Sequence, residues 1–225
     1  MLLSLKDFGF STWLDKILEI LNKCELSEIF NSNSFTASEI HIITHKVKAK
    51  LKEEFTLKWH TEINKLPKLR TYRLFKTSFE TERYLFIFNK NHRQALSRLR
   101  ASAHTLEIEK GRWRRKLVNG KWKNCKVPIE ERLCIFCPDN SVESEIHVII
   151  SCSKYSDIRS DLFKTAKNYI VDFESLDNVN KFIAIMQTDE TSLIHNLAKC
   201  TYLIFKCRTE HLNDVDSNVD SSTLE

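Results

Sequence analysis

Four residues have the types and spacing to hold a metal ion: Cys134-x2-Cys137-x9-His147-x4-Cys152. Two cysteines separated by two residues turn both sulfurs toward one point, and a histidine on a following helix brings its imidazole to the same side. The predicted helix covers residues 142–150. Cys152 lies five residues beyond His147, ~140° around an ideal helix at ~100° per residue, so it must sit at or past the helix end. Three thiolates and an imidazole form a borderline-soft set that selects Zn²⁺. With all four positions taken by protein, the expected zinc is single and structural rather than catalytic. Lys126 and Arg132 are the nearby cations expected to offset its net negative charge. The alternative is four unrelated buried residues, with cysteine serving as a small hydrophobe.

A second group could bind a polyanion. Lys110, Arg112, Arg114, Arg115, Lys116, Lys121, Lys123 and Lys126 fall within residues 110–126, with no acid and with Trp113 and Trp122 between them. Cations neutralise phosphates and indole rings stack on unpaired bases, so the expected partner is nucleic acid, RNA or DNA. Arg93, Arg98 and Arg100, on a predicted helix over residues 93–102, would extend that surface. The competing reading has the tryptophans anchoring a loop whose cations are merely solvated.

Other groupings carry less. His41 and His45 are one helical turn apart, but no Glu follows the first, so the metalloprotease pattern fails. Glu107 and Glu109 lie near His104 without a nucleophile elbow or second metal set, and Glu109 reads as a partner for a local arginine. Cys24, Cys125, Cys200 and Cys207 are unpaired by spacing. Cys200 and Cys207 share an apolar helix face.

The elements that must position these groups are mostly helices. With three glycines and three prolines in 225 residues, the chain cannot supply a P-loop, a dinucleotide-binding turn or the many turns of a β-sandwich. Trp13, Leu14, Ile17, Leu18, Leu21 and Cys24 mark a first helix, capped by Thr12 and Asp15. Thr36 and Glu39 form a second capping pair ahead of a longer helix striped by Ile40, Ile43, Val47, Leu51, Phe55 and Ile63. Pro67 opens the next helix, expected over residues 69–79. Residues 110–126 read as a loop or short ribbon. Tyr155, Ile158, Leu162, Ala166 and Tyr169, then Leu193, Leu197, Cys200, Ile204 and Cys207, mark the last helices. The expected fold is therefore mainly α, a helical bundle with a small zinc module inserted. Its regions are 1–66, 67–126, 127–163, 164–209 and an acidic, disordered tail at 210–225. That tail holds five acids and no Lys or Arg, leaving 35 basic against 25 acidic side chains over residues 1–209. A body this basic suits nucleic acid. No apolar run is long enough for a membrane span, and Met1–Asp7 lacks the start of a signal peptide. The expected setting is intracellular and reducing, nuclear or cytoplasmic.

The run Lys68–Phe163, 96 of the 225 residues, resembles the zinc-binding region that follows reverse transcriptase in LINE-type non-LTR retrotransposon polyproteins. The matching pieces begin with Lys68-Leu69-Arg70-Thr71-Tyr72 and Phe75-Lys76, then Arg98, Arg100, Ser102 and His104. Leu106, Ile108, Glu109, Gly111 and Arg112 follow, then the four metal-binding residues with Glu145-Ile146, and finally Tyr155, Asp157-Ile158-Arg159 and Leu162-Phe163. The resemblance implies a zinc-stabilised accessory module that holds template RNA or target DNA near a polymerase. It implies no activity here, because reverse transcription needs an Asp-Asp pair for its two metals and this sequence has none. The expectation is thus a non-enzymatic fragment or remnant that binds nucleic acid. The alternative is a helical interaction module that docks on a separate reverse transcriptase portion.

Overall fold

Thr36 and Glu39 close the expected capping box. Thr36 Oγ1 accepts the Glu39 backbone N–H at 3.3 Å, and Glu39 Oε2 accepts the Thr36 N–H at 2.8 Å. From there α2 runs over Ala37–Lys65, preceded by α1 at Trp13–Lys23. The computed structural model describes residues 13–31 and 36–221, so the expected Thr12 cap lies outside them. The chain divides into two compact units, residues 1–65 and 66–225. In the first, α1 ends on Glu25 in the left-handed region (φ 58°), with Leu26 N–H bonded back to the Leu21 carbonyl at 2.8 Å. The apolar stripe of α2 is not covered throughout: Ile40 and Phe55 remain 53% and 50% exposed.

The second unit carries the candidate sites. Its elements are a 3₁₀ turn at Pro67–Leu69, α3 (Tyr72–Phe75), α4 (Lys90–Arg100), α5 (Glu107–Lys110), β1 (Arg114–Val118), β2 (Lys121–Cys125), α6 (Ser156–Tyr169), α7 (Asn178–Met186) and α8 (Thr191–Ser221). Pro67 does open its turn. The helix expected over residues 69–79 shrinks to that turn and α3. Phe75 alone of α3 is buried, and Lys76 goes extended ahead of Thr77 and Ser78, which favour non-helical backbone. Asn89 starts α4 by accepting the N–H groups of Asn91 and His92 at 3.0 and 3.2 Å, and Asp177 caps α7 in the same way.

One core joins regions that the sequence divides. Leu96 and Leu99 of α4, Leu162 and Ala166 of α6, Phe182 and Ile185 of α7, and Leu193, Leu197 and Ile204 of α8 pack with Leu106, Ile108, Val148, Ile149 and Tyr155. The last three flank the cysteine cluster, so that cluster is built on the core. The acidic segment expected to be disordered instead continues α8 as far as Ser221, residues 222–225 lying outside the description. A helix already nucleated by its buried stripe gains a backbone bond for each added residue, and the His211 ring meets Phe136 with centroids 6.0 Å apart. No helix among the described residues is long and apolar enough to cross a membrane.

Candidate metal centre and basic hairpin

The first two sulfurs sit on a loop pinched shut at its base. Leu133 and Val142 form an isolated antiparallel bridge, and Cys134 N–H donates to the Ser141 carbonyl at 2.8 Å. Asn140, with φ 48°, lets the chain reverse inside so few residues. Within it Cys134 Sγ accepts the Phe136 backbone N–H, and Cys137 Sγ accepts that of Asp139. Cys152 repeats the pattern with Lys154. Each N–H acts to lower its thiol pKa, but at Cys134 and Cys137 the raising contributions are larger.

The helix expected over residues 142–150 is shorter and wider than foreseen. Helical backbone begins at Glu145, and His147–Ser151 forms a π turn whose i→i+5 bond runs from Cys152 N–H to the His147 carbonyl at 2.7 Å. An α-helix would swing Cys152 away from His147; the wider turn brings it back, with Cys152 as the cap residue past the end.

The four donor atoms lie within 4.8 Å of one another, forming a candidate metal-binding group. Tetrahedral coordination at zinc bond lengths requires about 3.8 Å between sulfurs and about 3.6 Å between sulfur and nitrogen. Cys134 and Cys152 sulfurs are 3.9 Å apart, and Cys137 Sγ is 3.4 Å from His147 Nε2. His147 Nδ1 faces Ser151 Oγ at 3.3 Å, which orients the ring so that Nε2 points to the sulfurs. These separations are those a tetrahedral cation site would need. The bond to Cys152 and burial push the Cys134 thiol up to about 12, burial raises Cys137, and the Cys134 bond lowers Cys152.

Arg132 does not offset the charge here, as the sequence suggests. Its buried guanidinium serves the carbonyls of Val127, at 2.7 Å, and Ile108, at 2.5 Å. Gly111 packs against it so closely that a Cβ would lie 2.6 Å from Arg132 Cγ and Cδ. Arg159 of α6 occupies the place by the cysteines, donating to the Cys152 carbonyl at 2.6 Å.

Two buried acids tie the metal-binding segment to the rest of the unit. Glu145 takes Arg70 at 2.7 Å, Ser102 at 2.8 Å and His104 at 2.9 Å. Burial pushes its carboxyl up, but His104 and Arg70 outweigh that and bring it down to about 2. Glu143 receives Arg208 and the Glu107 N–H. Glu109, as expected, partners arginines: Arg70 at 2.5 Å and Arg112 at 2.8 Å. His104 is thus a buried partner of Glu145, whereas His41 and His45 are exposed and no three-ligand group among the described residues includes either.

The basic stretch folds as an antiparallel hairpin closed by Asn119 (φ 52°) and Gly120 (φ 73°), a two-residue turn with both residues left-handed. Its register pairs Arg114 with Cys125, Arg115 with Asn124, Lys116 with Lys123, Leu117 with Trp122 and Val118 with Lys121. Since positions alternate between faces, 114, 116, 121 and 123 share one face and 115, 117 and 122 the other. Trp122, Leu117 and Trp113 are 64%, 60% and 76% exposed, so the tryptophans do not anchor a loop to the core. Arg114 donates to Glu107 at 2.5 Å and Arg112 to the Pro67 carbonyl at 2.7 Å, while Arg115, Lys121 and Lys123 are exposed without an ion pair among the described residues.

The helix arginines separate. Arg98 is exposed, but Arg100 is buried, paired with Glu82 and the Met186 carbonyl and stacked 4.3 Å from the Phe75 ring centroid. Arg100 is a core residue, removed from the nucleic-acid surface on which the sequence places it. Arg93 donates to the Ile87 carbonyl at 2.7 Å. The chain matches no family model, no curated protein and no solved structure.

Proposed function

We propose that this chain is a non-catalytic nucleic-acid-binding module whose Cys134, Cys137, His147 and Cys152 hold one structural zinc, akin to the segment that follows reverse transcriptase in non-LTR retrotransposons. The hairpin register carries this reading. Lys121 and Lys123, both exposed, share one face with Arg114. Like charges gathered on one face of a ribbon repel, so the face is better satisfied with an anion against it. The other face offers Trp122 and Leu117, exposed and side by side, where a base can stack. Zinc is the metal of choice because three sulfurs and one nitrogen spaced for a tetrahedron leave no open coordination position. This closed set also supports a non-enzymatic role.

Filter binding of labelled RNA and DNA over a salt series tests the reading. Affinity falls steeply with salt, and replacing Arg114 and Arg115 by Ala weakens binding and flattens the slope. Unchanged affinity in that variant overturns the assignment. A second reading, a helical docking module for a separate polymerase portion, draws on the exposed Ile40 and Phe55 of α2. Self-association on size exclusion that is insensitive to RNA favours it.

A further inference from the structure

Between α4 and α8 lies a groove of about 400 Å³ whose lining differs from the core beneath it. That volume falls in the range of small-molecule and nucleotide sites. Asn91, Gln94 and Arg98 enter it from α4 at three- and four-residue spacing, forming one stripe of the helix. From α8 come Tyr202 and Phe205, both half-buried, and the exposed Lys206. Ala95 also lines the groove, while Leu96 and Leu99 of the same helix pack in the core.

Each chemical class has a counterpart in one nucleotide. Two amides a turn apart each present a donor and an acceptor, as a base edge requires. The two rings offer apolar walls to a flat solute. Arg98 and Lys206 stand where a phosphate would be neutralised. The His92 ring lies against Tyr202 with centroids 5.3 Å apart, which supports that wall. Burial, then Lys199 and His195, hold the His92 pKa below its ordinary value. The groove's carboxylate, Glu210, is 3.8 Å from Lys206.

We propose that this groove is a second nucleic-acid contact that accepts an unpaired nucleotide, its base against Tyr202 and Phe205 and its edge on Asn91 and Gln94. The proposal rests on the nucleic-acid reading of the hairpin and narrows its ligand to single strands. Bases of a duplex are stacked and paired and cannot enter; hairpin cations, by contrast, meet phosphates of either form.

The test is fluorescence anisotropy of the zinc-loaded full chain with a labelled single-stranded RNA, the same DNA sequence, and the matching duplexes. Asn91→Ala with Gln94→Ala should weaken single-strand binding about ten-fold, the equivalent of ~1.4 kcal/mol, and leave duplex binding within about two-fold. Arg98→Ala should lower the single-strand salt slope by about one. These side chains are exposed, and circular dichroism checks that the fold is kept. Unchanged single-strand affinity in both groove variants, with the Arg114/Arg115 variant weakened, overturns the groove and leaves the hairpin reading standing. An equal loss on single strands and duplexes overturns the unpaired-nucleotide assignment. No binding of any oligonucleotide by the wild-type chain overturns both.

Discussion

Arg208, on α8, grips Glu143 side-on with one edge of its guanidinium: Nε lies 2.9 Å from Oε1 and Nη2 lies 2.9 Å from Oε2, and both side chains are buried. Glu143 is four residues before His147. The pair therefore links the last helix to the segment that presents the imidazole. Removing Arg208 leaves Glu143 charged in the interior with the Glu107 N–H, and removing Glu143 leaves Arg208 with Glu107 Oε1 at 3.5 Å and Thr105 Oγ1 at 3.4 Å. Losing the principal partner of a buried charge costs about 3–5 kcal/mol. Arg208→Met and Glu143→Leu should each lower the unfolding free energy by that much, read from equilibrium denaturation, and the double variant should recover part of the loss. Additive losses in the double-mutant cycle would show that the two residues do not act as a unit.

Gly111 needs space rather than unusual dihedrals, since its φ is −65°. A methyl at this position would lie 2.6 Å from Arg132 side-chain atoms that are held by hydrogen bonds to Val127 and Ile108. Gly111→Ala should destabilise the protein by about 1–3 kcal/mol through overpacking, read from equilibrium unfolding in urea. A variant as stable as wild type would mean that Arg132 moves freely, against its burial.

The candidate metal centre was legible because its ligands are close in sequence and a fixed spacing serves one chemistry. The π turn was not, since nothing local to residues 147–151 marks it. Arg100 could have been excluded from the surface. Residues two apart on a helix point ~200° apart, so an outward Arg98 implies an inward Arg100. Likewise Asn119-Gly120 between two alternating runs is a hairpin signal. The acids at 143 and 145 could not have been placed, because their principal partners are distant in sequence: Arg208 is 65 residues from Glu143, and Arg70 is 75 from Glu145. Burial of such residues depends on how the helices meet, which periodicity does not encode.

Metal loading should release protons. Cys134 and Cys137 both have raised thiol pKa values, the first to about 12, so both are protonated at neutral pH in the metal-free chain. Binding zinc as thiolates must displace at least those two protons, so affinity rises with pH. Calorimetry in buffers of different ionisation enthalpy measures the number. One metal per chain is expected, with cooperative folding lost on chelation and in Cys137→Ser. A chain that binds no zinc, or that stays cooperatively folded with the metal stripped, would refute a structural centre.

Gly120 separates binding from folding. Its φ of 73° is one that side chains with a Cβ resist, and no heavy atom lies within 4 Å of where that Cβ would go. Gly120→Ala therefore strains the turn by about 1–2 kcal/mol without a clash. The hairpin contributes no residue to the main core cluster. The strain should accordingly loosen the ribbon and leave the unit's unfolding midpoint nearly unchanged. Lys121 and Lys123 would then no longer be held on one face, and nucleic-acid affinity should drop several-fold while zinc stoichiometry stays at one. Changing Asn119 to Gly keeps the turn conformation and should keep affinity near wild type. If Gly120→Ala binds as tightly as wild type, the cations act as a disordered cloud, and the geometry of the ribbon has no part in recognition.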